Sequence, residues 1–402
     1  MKVTIFEGIE KIVSQKTNLS THILPLENAI GKISSQTLYA TISLPRFDNS
    51  AMDGYALKGS FKSYKIVGKI LAGDNKDIVL QDGECIKITT GAKVPDSAQT
   101  VIPQENTTFE KDKITIIKEV KTGANIRKTG EDIKSGEILI KKGDKITSNY
   151  ISILASQGVT HIEVFKTPKV AVFASGNELK MPYEELSDSQ IYNSNTPYFV
   201  SRLKELGCKV DFVGKSGDNL EDMKKLVKNS LKYDLILTSG GVSVGEADFT
   251  KEAFYSFGFE TLFDKVEIKP GKPTTCGKIG ETFILNLPGN PLAAALNFEI
   301  FAKIIVNKLS GISTLYHKSI KTKISSDFTK NRAVNTVIPG YFDGEYFNIA
   351  KQFSPNMVNV LNHCNGFIVV SKDKNSLKKD DYIKFLPINF DFYSEDFEDF
   401  LS

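Results

Sequence analysis

The chain has 402 residues, is 41% hydrophobic and 25% charged, and balances 51 basic against 48 acidic side chains for a net charge of +3. That length exceeds one hydrophobic core and predicts roughly two to four domains, while the small net charge excludes a broad electrostatic hold on nucleic acid or a membrane surface. No apolar run reaches the roughly 18 residues of a membrane span.

Other absences narrow the class further. Acidic Glu7 and Glu10 near the start do not fit a signal peptide. The cysteines, Cys85, Cys208, Cys276 and Cys364, are far apart and form no C-x-x-C. Reduced thiols in the cytoplasm are therefore expected, not a disulfide or zinc frame. The histidines are equally scattered, and no Ser/His/Asp triad is visible.

In chain order, Ile5, Ile9, Ile12 and Val13 predict an amphipathic helix over residues 4–16, packed on its own chain or on a second copy. A short helical pattern over 26–30 ends at Gly31, and strand-like residues 38–44 lead to Pro45. DNSAMDGYA at 48–56 reads first as a polar turn, although Asp48, Asn49, Ser50 and Asp53 together offer oxygens to a polar ligand. Short alternating segments at 64–70, 85–89, 100–104 and 113–117 predict a small all-β domain. RKTGED at 127–132 reads as a solvated charged turn, and GEILIKKGDKI at 136–146 as a hairpin. A helix capped by Ser148 and closed by Gly158 follows. The expected division is a discontinuous domain of residues 1–44 and 133–167 into which a β domain of 45–132 is inserted, then an α/β domain of 168–312 and a C-terminal β domain of 313–402.

In the α/β domain, strands at 170–174, 209–213, 234–238 and 283–287 alternate with helices at 195–206, 220–231 and 292–309. This predicts a parallel sheet with helices on both sides. Four Gly-rich or polar signals, SGNEL, GKSGD, SGGVSVGEAD and LPGNP, fall at strand ends, where such sheets bind ligands. The organising stretch is YDLILTSGGVSVGEAD at 233–248: buried strand, Gly-rich loop, helix start. Free N–H groups there favour an anion, yet Glu246 and Asp248 place carboxylates at the same spot. A Mg²⁺ between carboxylate and phosphate resolves that conflict.

DNSAMDGYA, TGAKVP, RKTGEDI, GGVSVGEADFT, IKPGKP and LPGNP stand in the order found in molybdopterin molybdenumtransferases, the MoeA and gephyrin E-domain family, and the chain resembles that family over nearly its whole length. The resemblance implies an elongated, multidomain α/β protein with a central MogA/MoaB-like three-layer domain, two small β domains and an N-terminal α+β linker domain, forming a homodimer. It implies insertion of molybdate into adenylylated molybdopterin with Mg²⁺-dependent release of AMP. It also implies partners: a MogA-type adenylyltransferase upstream, and a molybdoenzyme or its chaperone downstream. Gly240, Gly241, Ser243 and Gly245 would cradle phosphate; Asp248 would hold Mg²⁺ or position the hydrolytic water; Lys269 and Lys272 would hold molybdate. Pro288, Gly289, Asn290 and Pro291 match a second ligand loop, and Asp53, Thr90, Asp132, Glu178, Asp218 and Lys265 fall on further matching positions.

The chain departs from the pattern in three places. SGNEL replaces TGDEL; Ala293 stands where a serine near molybdate is usual; and the last-domain arginine has its nearest counterpart several residues early, at Arg332, with Ser354 as a matching serine. These changes predict weak molybdate binding. The alternative functions are a non-catalytic molybdopterin-binding or scaffolding paralogue, and a MogA/MoaB-type adenylyltransferase, which would match the central domain alone.

Overall fold

The computed structural model describes residues 1–216, 219–240 and 249–389. At the start, Thr4 caps the helix Ile5–Val13: the Glu7 N–H donates to the Thr4 hydroxyl at 3.2 Å, and the Thr4 N–H donates to the Glu7 carboxylate at 2.7 Å. Its apolar stripe, Ile5, Ile9 and Ile12, is buried in the same core as Phe263 and Phe301. The helix therefore docks on its own chain, against the helix Lys303–Ser310 and the strand Glu260–Phe263. That settles the partner its pattern left open, and it removes this helix as a reason to expect a dimer.

The first sheet has six strands in the order Thr100–Pro103, Gly54–Leu57, Glu84–Ile88, Ser63–Ile70, Lys113–Ile116 and Thr107–Glu110. Alternation along its strands sends Ala56, Ile86 and Val101 to one packed face and Tyr55, Leu57 and Ile102 to the other. The expected hairpin at 136–146 does not form. Ile138–Ile140 pairs with Leu38–Tyr39, and Lys145 bridges to Ile33. Pairing with this earlier segment buries Ile140 and Ile146 against Leu26, Leu154 and Val164, apolar contacts that a self-paired hairpin would forgo.

The central sheet runs Lys209–Ser216, Lys169–Ser175, Leu235–Ser239, Thr282–Leu287, Thr275–Ile279, Glu260–Phe263. The first four strands are parallel, and Thr275–Ile279 pairs antiparallel with both Thr282–Leu287 and Glu260–Phe263. The antiparallel edge leaves the sheet parallel-rich, as expected for this domain. A two-residue connection, Gly280 and Glu281, folds Thr275–Ile279 directly back on Thr282–Leu287, with Gly280 at φ +57. The chain order reverses between Lys169–Ser175 and Leu235–Ser239, which creates the crevice that open α/β sheets use for ligands.

The helix predicted over 292–309 is interrupted. It runs as Pro291–Asn297, a π turn Phe298–Ala302, and Lys303–Ser310, ending at Gly311 with φ +77. His317 Nε2 lies 3.0 Å from the Ile300 carbonyl within the π turn. The turn also carries Glu299, which is 2% exposed and meets Arg202 of the helix Asn195–Glu205.

The last sheet closes on itself. Asn335–Phe342, Tyr346–Ile349, Ile320–Ile324, Tyr382–Pro387 and Gly366–Val370 pair in sequence, and the last pairs again with the first, around Ile338, Phe347, Ile368 and Phe385. The two-residue strand Ile268–Lys269 of the central unit adds to Asn335–Phe342. IKPGKP is thus pinned between the central sheet and the C-terminal barrel. The four cysteines are unpaired, and among the described residues no helix is long and apolar enough to cross a membrane.

Candidate active site

Two adjoining clefts open beyond the carboxyl ends of the parallel strands. The larger, about 720 Å³, lies at the sheet's reversal point and is lined by the strand-end residues Ser175, Glu178, Ser239 and Gly240 and by the loop from Pro288 to Pro291. Its floor is tightly built. Gly240 has φ +91, and a Cβ there would come 2.6 Å from the Ser175 carbonyl oxygen, so only glycine fits between these strand ends. Asn195, at the start of its helix, donates through one amide nitrogen to the Ser239 hydroxyl and to the Gly289 carbonyl, each at 2.7 Å. This ties the two ligand loops together. Tyr192, Asn356 and Val358 complete the rim.

The smaller cleft, about 460 Å³, shares Pro273, Pro288 and Asn290 with the larger. Its cations are Lys269, Lys272 and Arg332, and no carboxylate lines it among the described residues. Ala293 forms part of one wall. Arg332, which the sequence placed several residues early, reaches this cleft because the connection ahead of Asn335–Phe342 lies over IKPGKP, where Ile268 pairs with Asn335. Ser354 lines a further hollow with Lys269 and Arg332, and its hydroxyl bonds the Asn356 side chain.

The structure therefore brings together Glu178, Gly240, Lys269, Lys272, Pro288, Gly289, Asn290 and Pro291. Gly241, Ser243, Gly245, Asp248 and Asp218 lie outside the described residues. Four other candidates sit elsewhere on the chain. Lys265 pairs with Lys2 beside the first helix. Asp132 lines a separate cleft with Arg127 and Glu131. Asp53 and Thr90 face each other: Thr90 donates to the Asp53 carboxylate from its backbone N–H at 2.7 Å and its hydroxyl at 2.9 Å. Asp48 likewise holds the turn at 127–132, accepting from Lys128 Nζ at 2.7 Å and from the Thr129 N–H at 2.9 Å. That turn is anchored, not merely solvated.

The backbone N–H of Thr90, then its hydroxyl, hold the Asp53 carboxyl below its ordinary range. The stability this bond contributes is therefore full above the ordinary carboxylate range and is lost as pH falls through the lowered value. Thr90→Val removes the hydroxyl bond and should move the Asp53 titration back towards its ordinary value, read from its side-chain carboxyl carbon by NMR. An unmoved titration would show that the hydroxyl bond is not made.

Asn195 and Arg332 are site residues that sequence reasoning missed or misplaced. Asn195 carried one available signal: it opens a helix directly after a strand-like segment.

Two adjoining clefts at the reversal point of a multidomain α/β protein define a ligand-binding crevice, and comparison with known proteins gives the chain a family. Residues 3–158 match the family model for the MoeA N-terminal region (domain I and II), and residues 171–308 match that for a probable molybdopterin binding domain. A molybdopterin molybdenumtransferase of Staphylococcus aureus is 33% identical over 338 residues, covering 82% of this chain and 81% of the relative. One from Staphylococcus epidermidis is 34% identical over the same span. The crystal structure of a molybdopterin biosynthesis MoeA protein from Pyrococcus horikoshii superposes with a TM-score of 0.82 at 26% identity, covering 97% of this chain and 100% of that one. The chain belongs to the molybdopterin molybdenumtransferase family, and its general role is molybdopterin and molybdate handling in cofactor biosynthesis.

Proposed function

We propose that this protein inserts molybdate into adenylylated molybdopterin and releases AMP. The observation that carries this reading is the pairing of a small cleft with three cations and no carboxylate among its described lining residues, next to a larger polar cleft at the sheet's reversal point. Molybdate is a small dianion, and Lys269, Lys272 and Arg332 match it in charge. The adenylylated substrate carries a phosphoanhydride, which suits the strand-end loops at Gly240 and Gly289, both of which line the larger cleft. The clefts share Pro273, Pro288 and Asn290, so a dithiolene held in the larger would lie next to an oxyanion held in the smaller.

Glu178 is the carboxylate among the described residues of the larger cleft. One or two carboxylates plus substrate phosphates is a usual Mg²⁺ donor set, so Glu178, with Asp248 from the Gly-rich loop, would hold the ion. Mg²⁺ there would neutralise charge on the phosphoanhydride as AMP departs. A MogA-type adenylyltransferase would supply the substrate, and a molybdoenzyme or its chaperone would take the product.

The proposal includes a homodimer in the cytoplasm. Asp53, Thr90 and Asp132 line neither cleft of their own chain, and a second copy would present them to its partner's site. Light scattering that finds a monomer at micromolar concentration would remove this part.

The deciding experiment supplies purified protein with adenylylated molybdopterin, Mg²⁺ and molybdate, and follows AMP release and bound molybdenum. Asp248→Asn should keep substrate binding and slow AMP release by about 10²-fold, as for loss of a preorganised electrostatic group. Near-normal turnover would take Asp248 out of the mechanism. Substrate binding without metal insertion in the wild-type protein would favour the scaffolding paralogue.

A further inference from the structure

Asn297 ends the helix Pro291–Asn297 and is completely buried. Its amide nitrogen donates to the Pro270 carbonyl at 3.1 Å and to the Ala293 carbonyl at 2.8 Å. Its amide oxygen accepts from the Thr274 hydroxyl at 3.1 Å, and that hydroxyl is also 2.8 Å from the Gly271 carbonyl. Pro270 and Gly271 belong to the loop that carries Lys269 and Lys272, while Ala293 belongs to the opposite wall of the cationic cleft. One buried amide therefore joins both walls. The loop is shaped around it: Gly271 has φ +106, and a Cβ there would overlap the Asn297 amide.

We propose that Asn297 is a positioning residue that sets the separation of the two walls of the cationic cleft and thereby its affinity for a tetrahedral oxyanion. This rests on the reading of that cleft as the molybdate site. The physical reason is the directionality of the bonds. An apolar side chain of similar size would fill the space but would take the amide donor from the Pro270 carbonyl and leave the Thr274 hydroxyl only the Gly271 carbonyl, and the loop would relax to compensate. Two lysine ammonium groups hold a dianion well only while their backbone keeps them converged.

The test measures molybdate binding directly, by equilibrium dialysis, for wild type, N297A, N297D and T274V, alongside cofactor formation and thermal midpoints. N297A and N297D should raise the half-saturating molybdate concentration by about tenfold, the effect of losing one such bond. The rate at saturating molybdate should change little, and T274V should show a smaller rise. N297D adds a readout that a merely structural role would not move. Its introduced carboxyl, buried and therefore raised in pKa, regains a donor on protonation. Affinity in N297D should recover from pH 8 towards about pH 6, with no matching recovery in wild type. Should N297A fail to fold, N297D and T274V carry the measurement. Folded variants that bind molybdate as wild type does would overturn the inference. A wild type that binds molybdate but forms no cofactor would overturn the transferase function alone, with the dialysis still deciding the role of Asn297. A wild type that binds no molybdate would overturn both.

Discussion

Glu299→Ala is expected to lower stability by about 3–5 kcal/mol, the usual cost of breaking a buried ion pair from one side. Arg202 reaches Glu299 with two parallel bonds, Nε to Oε1 at 2.7 Å and Nη2 to Oε2 at 3.1 Å, and the Tyr198 hydroxyl adds a third contact at 3.3 Å. Burial opposes the charge on Arg202, but its bonds to Glu299 outweigh this and hold its pKa above the ordinary value. Removing the carboxylate strands a guanidinium whose side chain is 11% exposed. It would keep Glu205, which is more than half exposed, and a long contact to Asn389, so the loss should fall nearer about 3 than about 5 kcal/mol. Replacing both partners, as in R202M/E299L, should cost far less, because no charge is then left buried. Urea titrations followed by hydrogen exchange in the helix Asn195–Glu205 would read this. Equal losses in the single and double variants would show that the pair acts only as packing. The pair also matters for the site: it braces the helix that begins with Asn195 against the helix that begins with Pro291, and both starts line the larger cleft.

The double substitution K269A/K272A is expected to raise the molybdate concentration for half-maximal cofactor formation by about 10²-fold or more. Each charge-assisted bond contributes roughly 1.5–3 kcal/mol net, and about 1.4 kcal/mol is a factor of ten. Arg332 would remain, so some affinity should persist, and R332A should raise the requirement further from the same cleft. Adenylylated molybdopterin binding should change less, since neither lysine lines the larger cleft. Ala293→Ser places a hydroxyl on the cleft wall, at the position where the resemblance implies a serine, and should lower the requirement. Lysine variants that behave like wild type would place the anion elsewhere. The sequence led us to expect a pocket short of the usual serine and of the last-domain arginine; Arg332 and Ala293 both line the cleft, so Ala293 is the remaining departure at its wall.

The sequence by itself determined the class of the fold and much of the larger cleft. Apolar strands with glycines at their ends are legible because buried parallel strands exclude polar residues and close backbone approach excludes side chains, and this is why residues 170–174, 234–238 and 283–287 were found with their loops. The register of the helix Ile5–Val13 was equally plain from its stripe, but a stripe does not say what covers it. Only the tertiary structure showed Phe263 and Phe301 beneath it. Strand partners were likewise undecided, because a period of two specifies a face and not a neighbour; residues 136–146 pair with 33–39 for that reason. The π turn at Phe298–Ala302 left no mark on the apolar pattern, yet it carries Glu299 to Arg202. Arg332 and Asn297 were decided by the fold in the strictest sense. Their placement comes from segments tens of residues away, joined through directional bonds and a short strand pairing that no local periodicity encodes.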